Sequence, residues 1–198
     1  MKEKVIDSFI KGYLFDIEKQ IKSLDYQKIN VIINVLNEAY KNNKNIFIIG
    51  NGGSATTAMH FSCDLGKNTV REFNDKKEKR FRVIPLTANI ATITAIANDI
   101  SYEEIFSQQL LNLISKGDVL IAISASGNSK NILKAVEIAK ESGAIVIGLI
   151  GFNGGKLKDI SDYYIIVNSN SYGVVEDMHH MLAHIINYSL KDIKDKFE

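Results

Sequence analysis

The chain has 198 residues, 45% of them apolar and 24% charged, the composition of a globular protein long enough to bury a continuous core. A formal net charge of +1 excludes a dedicated nucleic-acid binder, which carries a basic excess; the densest charge run, Lys76-Lys77-Glu78-Lys79-Arg80, is broken by acid and reads as a solvated loop. One cysteine, Cys63, excludes an internal disulfide framework, and no signal-peptide pattern or bilayer-length apolar span is present, so the cytoplasm is the expected compartment with no membrane partner.

Helical spacing of apolar residues comes first, over residues 5–24 (Val5, Phe9, Tyr13, Phe15, Ile17, Ile21) and 26–42 (Ile29, Ile32, Ile33, Val35, Leu36). Neither helix carries evident chemistry, and such a pair more often covers a neighbour or a partner subunit. A strand at 45–49, a helix at 55–65 and a charged loop at 67–79 follow. Then come a strand at 81–86, helical segments at 90–98 and 103–115, a strand at 118–123 and a helix at 130–142. A strand at 144–150, a turn at Asn153-Gly154-Gly155, a strand at 163–167 and a long helix from about Gly173 complete the order. Strands rich in Ile and Val, alternating with helices, predict an α/β fold: a three-layer αβα sandwich around a central parallel sheet, doubly wound in the flavodoxin manner. The expected organisation is one domain over residues 1–198, a helical arm at 1–43 preceding an α/β core at 44–198. Pro85 counts mildly against its strand, since proline is best tolerated at an edge or a strand end.

Two strand–loop–helix units carry the chemistry. Gly50-Asn51-Gly52-Gly53-Ser54 follows the first strand, and Ser124-Ala125-Ser126-Gly127-Asn128-Ser129 follows the third. Ligands in such sheets lie beyond the carboxyl ends of the strands, where helix N-termini present free N–H groups to an anion. Gly50-x-Gly52-Gly53 lacks the third glycine of a dinucleotide fingerprint, and no Gly-Lys-Ser/Thr follows to make a Walker loop. Three serines in six residues exceed what one helix cap requires, which favours a phosphate there.

The four histidines fall at two acidic helical sites. His60 and Asp64 are one turn apart, and Glu176, His180 and His184 form an i, i+4, i+8 series next to His179. Histidines and carboxylates of this kind suit zinc, while the hard carboxylates leave manganese or nickel open. Residues eight apart on one helix are separated by roughly 12 Å along its axis, a stretch for two ligands of one ion. Bare geometry therefore prefers His180 as the companion of Glu176.

Taken in order, the glycine loop with His60, Asn98-Asp99, the serine loop, and Glu176-Asp177-Met178-His179 followed after four residues by His184 resemble the phosphoheptose isomerases. These are sugar-isomerase (SIS) domain proteins that convert sedoheptulose 7-phosphate to D-glycero-D-manno-heptose 7-phosphate, a precursor of surface polysaccharide. The resemblance covers essentially the whole chain. It implies sugar contacts from Asn51, Gly52, Gly53 and Ser54, a substrate-contacting pair at Asn98 and Asp99, and a phosphate grip from Ser124, Ala125, Ser126 and Ser129. It implies one zinc per subunit held by His60, Asp64, Glu176 and His184, with Asp64 as catalytic base, His184 as catalytic acid, and Asp64 and Glu176 also touching substrate. It further implies a homotetramer with active sites at subunit contacts.

The chain departs from that pattern in several places. Ala125 replaces a usual threonine, Asp64 a usual Glu, Glu176 a usual Gln, and Lys67-Asn68 a usual Gly-Arg before a longer loop. A base one methylene shorter and a changed metal site leave two alternatives open: a SIS-domain regulator that binds sugar phosphate or protein without turnover, and an isomerase of a different ketose phosphate.

Overall fold

The computed structural model describes residues 2–197, with side chains from residue 4 onward. Among these residues five strands form one sheet: β1 (Asn45–Gly50), β2 (Arg82–Pro85), β3 (Val119–Ser124), β4 (Ile145–Gly151) and β5 (Tyr163–Val167). Its order is β2-β1-β3-β4-β5, and every pairing is parallel. This is the flavodoxin-like doubly wound order, with its reversal between β1 and β3.

Period-two alternation within strands that are apolar on both faces makes the three layers. Ile46 and Ile48 of β1 and Val119, Ile121 and Ile123 of β3 face α2 (Tyr26–Lys41), α3 (Gly53–Lys67) and α8 (Tyr172–Phe197). Phe47 and Ile49, with Leu120 and Ala122, face α5 (Ser107–Leu113) and α6 (Lys130–Glu141) on the other side. These strand residues are almost wholly buried, and each large one contributes about 1.5–3 kcal/mol of transfer free energy. Asp118 ties the two central strands together at their base: its carboxylate accepts from the backbone N–H of Asn45 at 2.9 Å and of Ser115 at 2.9 Å. Pro85 is the last residue of β2, an edge strand paired only with β1, so its missing N–H disturbs nothing.

Helices α3 and α8 both start at the carboxyl ends of strands and pack side by side, so they run in the same direction. Their lower ends are joined by Lys194, which is fully buried. Its Nζ donates to Thr69 O at 2.9 Å, Glu78 Oε1 at 3.0 Å and Lys79 O at 3.1 Å. Glu78 also accepts from the backbone N–H groups of Arg71 and Glu72, at 2.9 Å each. Burial opposes its charge, yet those N–H groups and Lys194 outweigh it and hold the carboxyl down at about 2. The charge run containing Glu78 is therefore not simply a solvated loop, because this carboxylate fastens residues 67–79 to the last turns of α8.

Helix α1 (Lys2–Lys22) is pinned by polar contacts. Tyr13 OH donates to Asp177 Oδ2 at 2.6 Å, and Ser169 Oγ donates to Asp16 Oδ2 at 2.6 Å. Its outer face leaves Val5, Phe9 and Phe15 about two-thirds exposed.

Two elements differ from the sequence expectation. The helix expected over 103–115 splits into a 3-10 turn (Tyr102–Glu104) and α5, because Ile105 and Phe106 turn inward to the core and Ser107 Oγ bonds back to Glu104. A four-residue helix, α7 (Leu157–Ile160), follows the Asn153 turn and is too short to show any period. Helix α4 (Ile90–Asp99) occupies its expected place, with Asn89 Oδ1 accepting from Thr92 N at 3.1 Å.

Replacing Lys194 with Met leaves Glu78 buried with only Arg71, its Nε 3.9 Å away, as a cation. The expected loss in urea unfolding is about 3 kcal/mol, against no measurable loss for Lys196→Met at the exposed end of α8. Glu78 also sets an acid limit. Its folded value lies below the ordinary carboxylate value, so it stabilises the fold above that ordinary value, and the contribution disappears as pH falls toward 2. Unfolding measured between pH 5 and pH 2 should show a shallower acid slope in Glu78→Gln.

Candidate active site

The glycine loop leaves β1 for one face of the sheet and the serine loop leaves β3 for the other. A crevice therefore opens between them at the carboxyl edge. It holds a cavity of about 110 Å³ whose lining includes Asn51, Ser54, Ser124, Ser126, Ser129 and Glu176, with Ala125 and Tyr172 at its wall.

The serine loop is shaped by its own hydroxyls. Gly127 N–H donates to Ser124 Oγ at 3.1 Å, and Asn128 N–H donates to Ser126 Oγ at 3.2 Å. Gly127 has φ +63, and a Cβ there would collide with the carbonyl oxygen of Gly154. The turn at 153–156 braces the loop: Leu157 N donates to Gly127 O at 2.9 Å and Lys156 N to Asn128 Oδ1 at 3.1 Å. Ser129 occupies the N-cap of α6, yet its side chain makes no cap bond, so the hydroxyl remains available to the cavity.

The two loops are joined by an amide pair. Asn51 Nδ2 donates to Asn131 Oδ1 at 2.9 Å, and Asn131 Nδ2 donates to Asn51 Oδ1 at 2.8 Å. Tyr102 OH donates to the same Asn51 oxygen at 3.0 Å. Asn131 and Tyr102 were not expected from sequence. Asn131 carries no motif; the one sequence signal is an asparagine on the face that Ala135 and Ala139 continue into the core. Asn98 and Asp99 pair with each other at 2.8 Å at the end of α4 and are not among the residues lining the cavity.

Below the crevice, the parallel seam of α3 and α8 sets residues opposite one another in order. The Glu176 carboxylate lies against Gly53, where a Cβ would overlap it. One to two turns further down, His60, His180 and His184 gather, with one ring nitrogen of each lying within 4.8 Å of the others. His60 Nε2 is 2.9 Å from His184 Nε2 and 3.2 Å from Asp64 Oδ2, and His184 Nε2 is 3.6 Å from that same oxygen. Asp64 is mostly buried and presents Oδ2 because Asn68 Nδ2 donates to its Oδ1 at 2.8 Å. Burial, followed by the neighbouring His60 and His184, holds His180 below the ordinary histidine value. His179 faces the core, where burial pushes it down to about 4.

Thus His60, Asp64 and His184 come together with His180, and Asn51, Ser54 and Glu176 group with the serines, Gly53 lying against Glu176 and Gly52 not among the lining residues. Along α3, Asp64 lies eleven residues beyond Gly53, roughly 16 Å down the axis.

The SIS domain family model matches residues 12–151. Phosphoheptose isomerase of Helicobacter pylori strain P12 is 41% identical over 185 residues, 92% of this chain and 94% of its own length. The chain belongs to the phosphoheptose isomerases of the SIS-domain family. The Nitratiruptor phosphoheptose isomerase is 45% identical over 150 residues, 75% of this chain and 77% of its own. The solved phosphoheptose isomerase of Neisseria gonorrhoeae superposes with a TM-score of 0.86 at 26% identity, covering 97% of this chain and 100% of that one. The serine loop and glycine loop fall within the span matched by the family model, and the α8 histidines lie beyond it.

The amide pair between the loops is open to test. Asn131→Ala removes a buried amide that both donates to and accepts from Asn51, and should lower stability by about 1–3 kcal/mol in urea unfolding, while Asn98→Ala at an exposed site should change it by less than about 0.5 kcal/mol.

Proposed function

We propose that this chain is an aldose–ketose isomerase that converts sedoheptulose 7-phosphate to D-glycero-D-manno-heptose 7-phosphate, supplying heptose for surface polysaccharide. Membership of the phosphoheptose isomerases supports the substrate, and the convergence of Asp64, His60 and His184 carries the chemistry.

The phosphate is gripped by Ser124, Ser126 and Ser129 with the Ala125 backbone, and the sugar hydroxyls by Asn51, Gly52, Gly53, Ser54 and Glu176. Asn98 and Asp99 complete the rim of the sugar site. Phosphate binding is remote from the reacting carbons and serves to orient them. The Asp64 carboxylate takes a proton from C1 of the ketose while His184 protonates the C2 oxygen, giving an enediol. The C1 hydroxyl then gives up its proton as the aldehyde forms, and C2 receives a proton. Asn68 fixes the shorter carboxylate from behind, so Oδ2 alone faces the histidines. Its neighbours His60 and His184 fit a divalent ion, zinc by the chemistry of the donors. When bound, such an ion supplies Lewis-acid stabilisation of negative charge on the enediolate oxygens.

One subunit does not bring its own pocket onto its own acid–base cluster, given the roughly 16 Å between Gly53 and Asp64 along α3. We infer a homotetramer in which a neighbouring copy brings its Asp64 and His184 to this pocket and this copy's Glu176 to that cluster. The exposed apolar faces of α1 (Val5, Phe9, Phe15) and α8 (Ile185) are the surfaces such an assembly would cover. The enzyme is expected to act in the cytoplasm.

Asp64→Ala should lower kcat on sedoheptulose 7-phosphate by about 10²–10⁴-fold with little change in phosphate affinity. Mixing Asp64→Ala with a Ser126→Ala, Ser129→Ala double variant, each inactive alone, should restore activity when subunits exchange. Full activity of Asp64→Ala, or no rescue in verified hybrids, contradicts the reading.

A further inference from the structure

The cavity at the carboxyl edge encloses about 110 Å³. That is well under the roughly 300 Å³ at which a pocket takes in a whole small ligand. It can seat one end of a phosphorylated sugar, and the remaining carbons must leave through its mouth. Tyr172, the first residue of α8, stands there: it lines the cavity, yet about three-fifths of its surface is exposed. Glu176 follows one turn later and lines the same cavity, so α8 presents first a ring and then a carboxylate to the emerging chain.

That ring is held by a residue in an unfavourable backbone conformation. Phe152 has φ +51, a left-handed region that bulky L-residues rarely adopt. It stands in the turn Gly151-Phe152-Asn153-Gly154-Gly155, where glycine or asparagine would take a positive φ at little cost. Strain that persists beside a binding cavity points to a use for the side chain. The Phe152 and Tyr172 rings meet edge-on, with centroids 4.9 Å apart and planes at 77°, an arrangement that aromatic quadrupoles favour. The turn has no room to give way. A Cβ on Gly151 would meet Val175 Cγ1 at 2.5 Å and the Ala125 carbonyl oxygen at 2.7 Å, so the chain here is wedged between α8 and the serine loop.

We propose that Tyr172 is a specificity-determining residue for the sugar, and that Phe152 is the positioning residue that holds it. The negative face of the Tyr172 ring takes the C–H edges of the carbons nearest the phosphate, as an aromatic quadrupole favours. The hydroxyls further along the chain are left to Glu176. A free phosphate ion fills the serine end without reaching the ring, so this contact separates a sugar phosphate from phosphate itself. The proposal deepens the isomerase reading and rests on it for the place of the phosphate in the serine loop, not for turnover.

The test measures binding apart from turnover, by calorimetric titration of the full-length protein with sedoheptulose 7-phosphate and, separately, with inorganic phosphate. Tyr172→Ala should weaken sugar-phosphate binding about 10-fold and leave phosphate binding within about twofold. In steady-state kinetics the same variant should raise KM about 10-fold with kcat within about threefold. The Tyr172 hydroxyl makes no hydrogen bond among the described residues, so Tyr172→Phe should keep the parent's sugar-phosphate affinity within about twofold. Phe152→Asn, suited to the positive φ, should weaken sugar-phosphate binding about threefold or more, and should add little to Tyr172→Ala because both remove one contact. Sugar-phosphate affinity indifferent to Tyr172→Ala, an equal loss for inorganic phosphate, a Phe variant as weak as the Ala variant, additive losses in the double variant, or binding too weak to measure in the parent overturns the assignment. If the Tyr172 dependence of binding holds and sedoheptulose 7-phosphate is not turned over, the isomerase reading is refuted and the ring contact stands.

Discussion

Helices α3 and α8 run in the same direction because each leaves the carboxyl end of a parallel strand and both cover one face of the sheet. That constraint fixes which side chains can meet. It sets Gly53 opposite Glu176, His60 opposite His180 and His184, and Thr69 opposite Lys194. Had either helix run the other way, the upper carboxylate and the lower lysine would face the wrong partners. Polar side chains are arranged as rungs along this seam, with Glu176 at the top, the cluster of Asp64 and three histidines in the middle, and a buried ion pair at the foot.

The crevice depends on the seam from one side and on the serine loop from the other. The serine loop owes its shape to the hydroxyls of Ser124 and Ser126, the φ of Gly127 with the carbonyl of Gly154 close behind it, and the brace from the backbone N–H groups of Lys156 and Leu157. The reciprocal amides of Asn51 and Asn131 then hold the two loops at a set spacing. A loop built this way is largely formed before any ligand arrives, so little binding energy would go into ordering it. The cluster of Asp64 with His60, His180 and His184 differs in character. It is partly exposed, with the His60 and His184 side chains about two-fifths accessible and Asp64 mostly buried beside them.

Much of this was legible in the sequence. The near-continuous apolar strands announced a parallel sheet buried on both faces, and the glycine and serine loops pointed to its carboxyl edge. The order β2-β1-β3-β4-β5 agrees with the doubly wound expectation. What sequence could not give was contact between segments far apart in the chain. Glu78 lies in a run that looks solvated, and only its meeting with Lys194, 116 residues away, explains why it is buried. Asn131 and Tyr102 carry no motif and are recognised by their shared partner, Asn51. The i, i+4, i+8 series on α8 raised the question of whether Glu176 and His184 can serve one ion. The side chains settle where each points, but that is a matter of rotamers and helix packing, not of spacing.

The central claim is proton transfer between C1 and C2 of a seven-carbon sugar phosphate at this site. Its most direct test incubates the metal-loaded protein with sedoheptulose 7-phosphate in D₂O and follows C1 and C2 by NMR. The account predicts formation of the aldose phosphate with deuterium at C2, and exchange at C1 of the remaining ketose. Saturable binding of the sugar phosphate with neither conversion nor exchange at either carbon would contradict it.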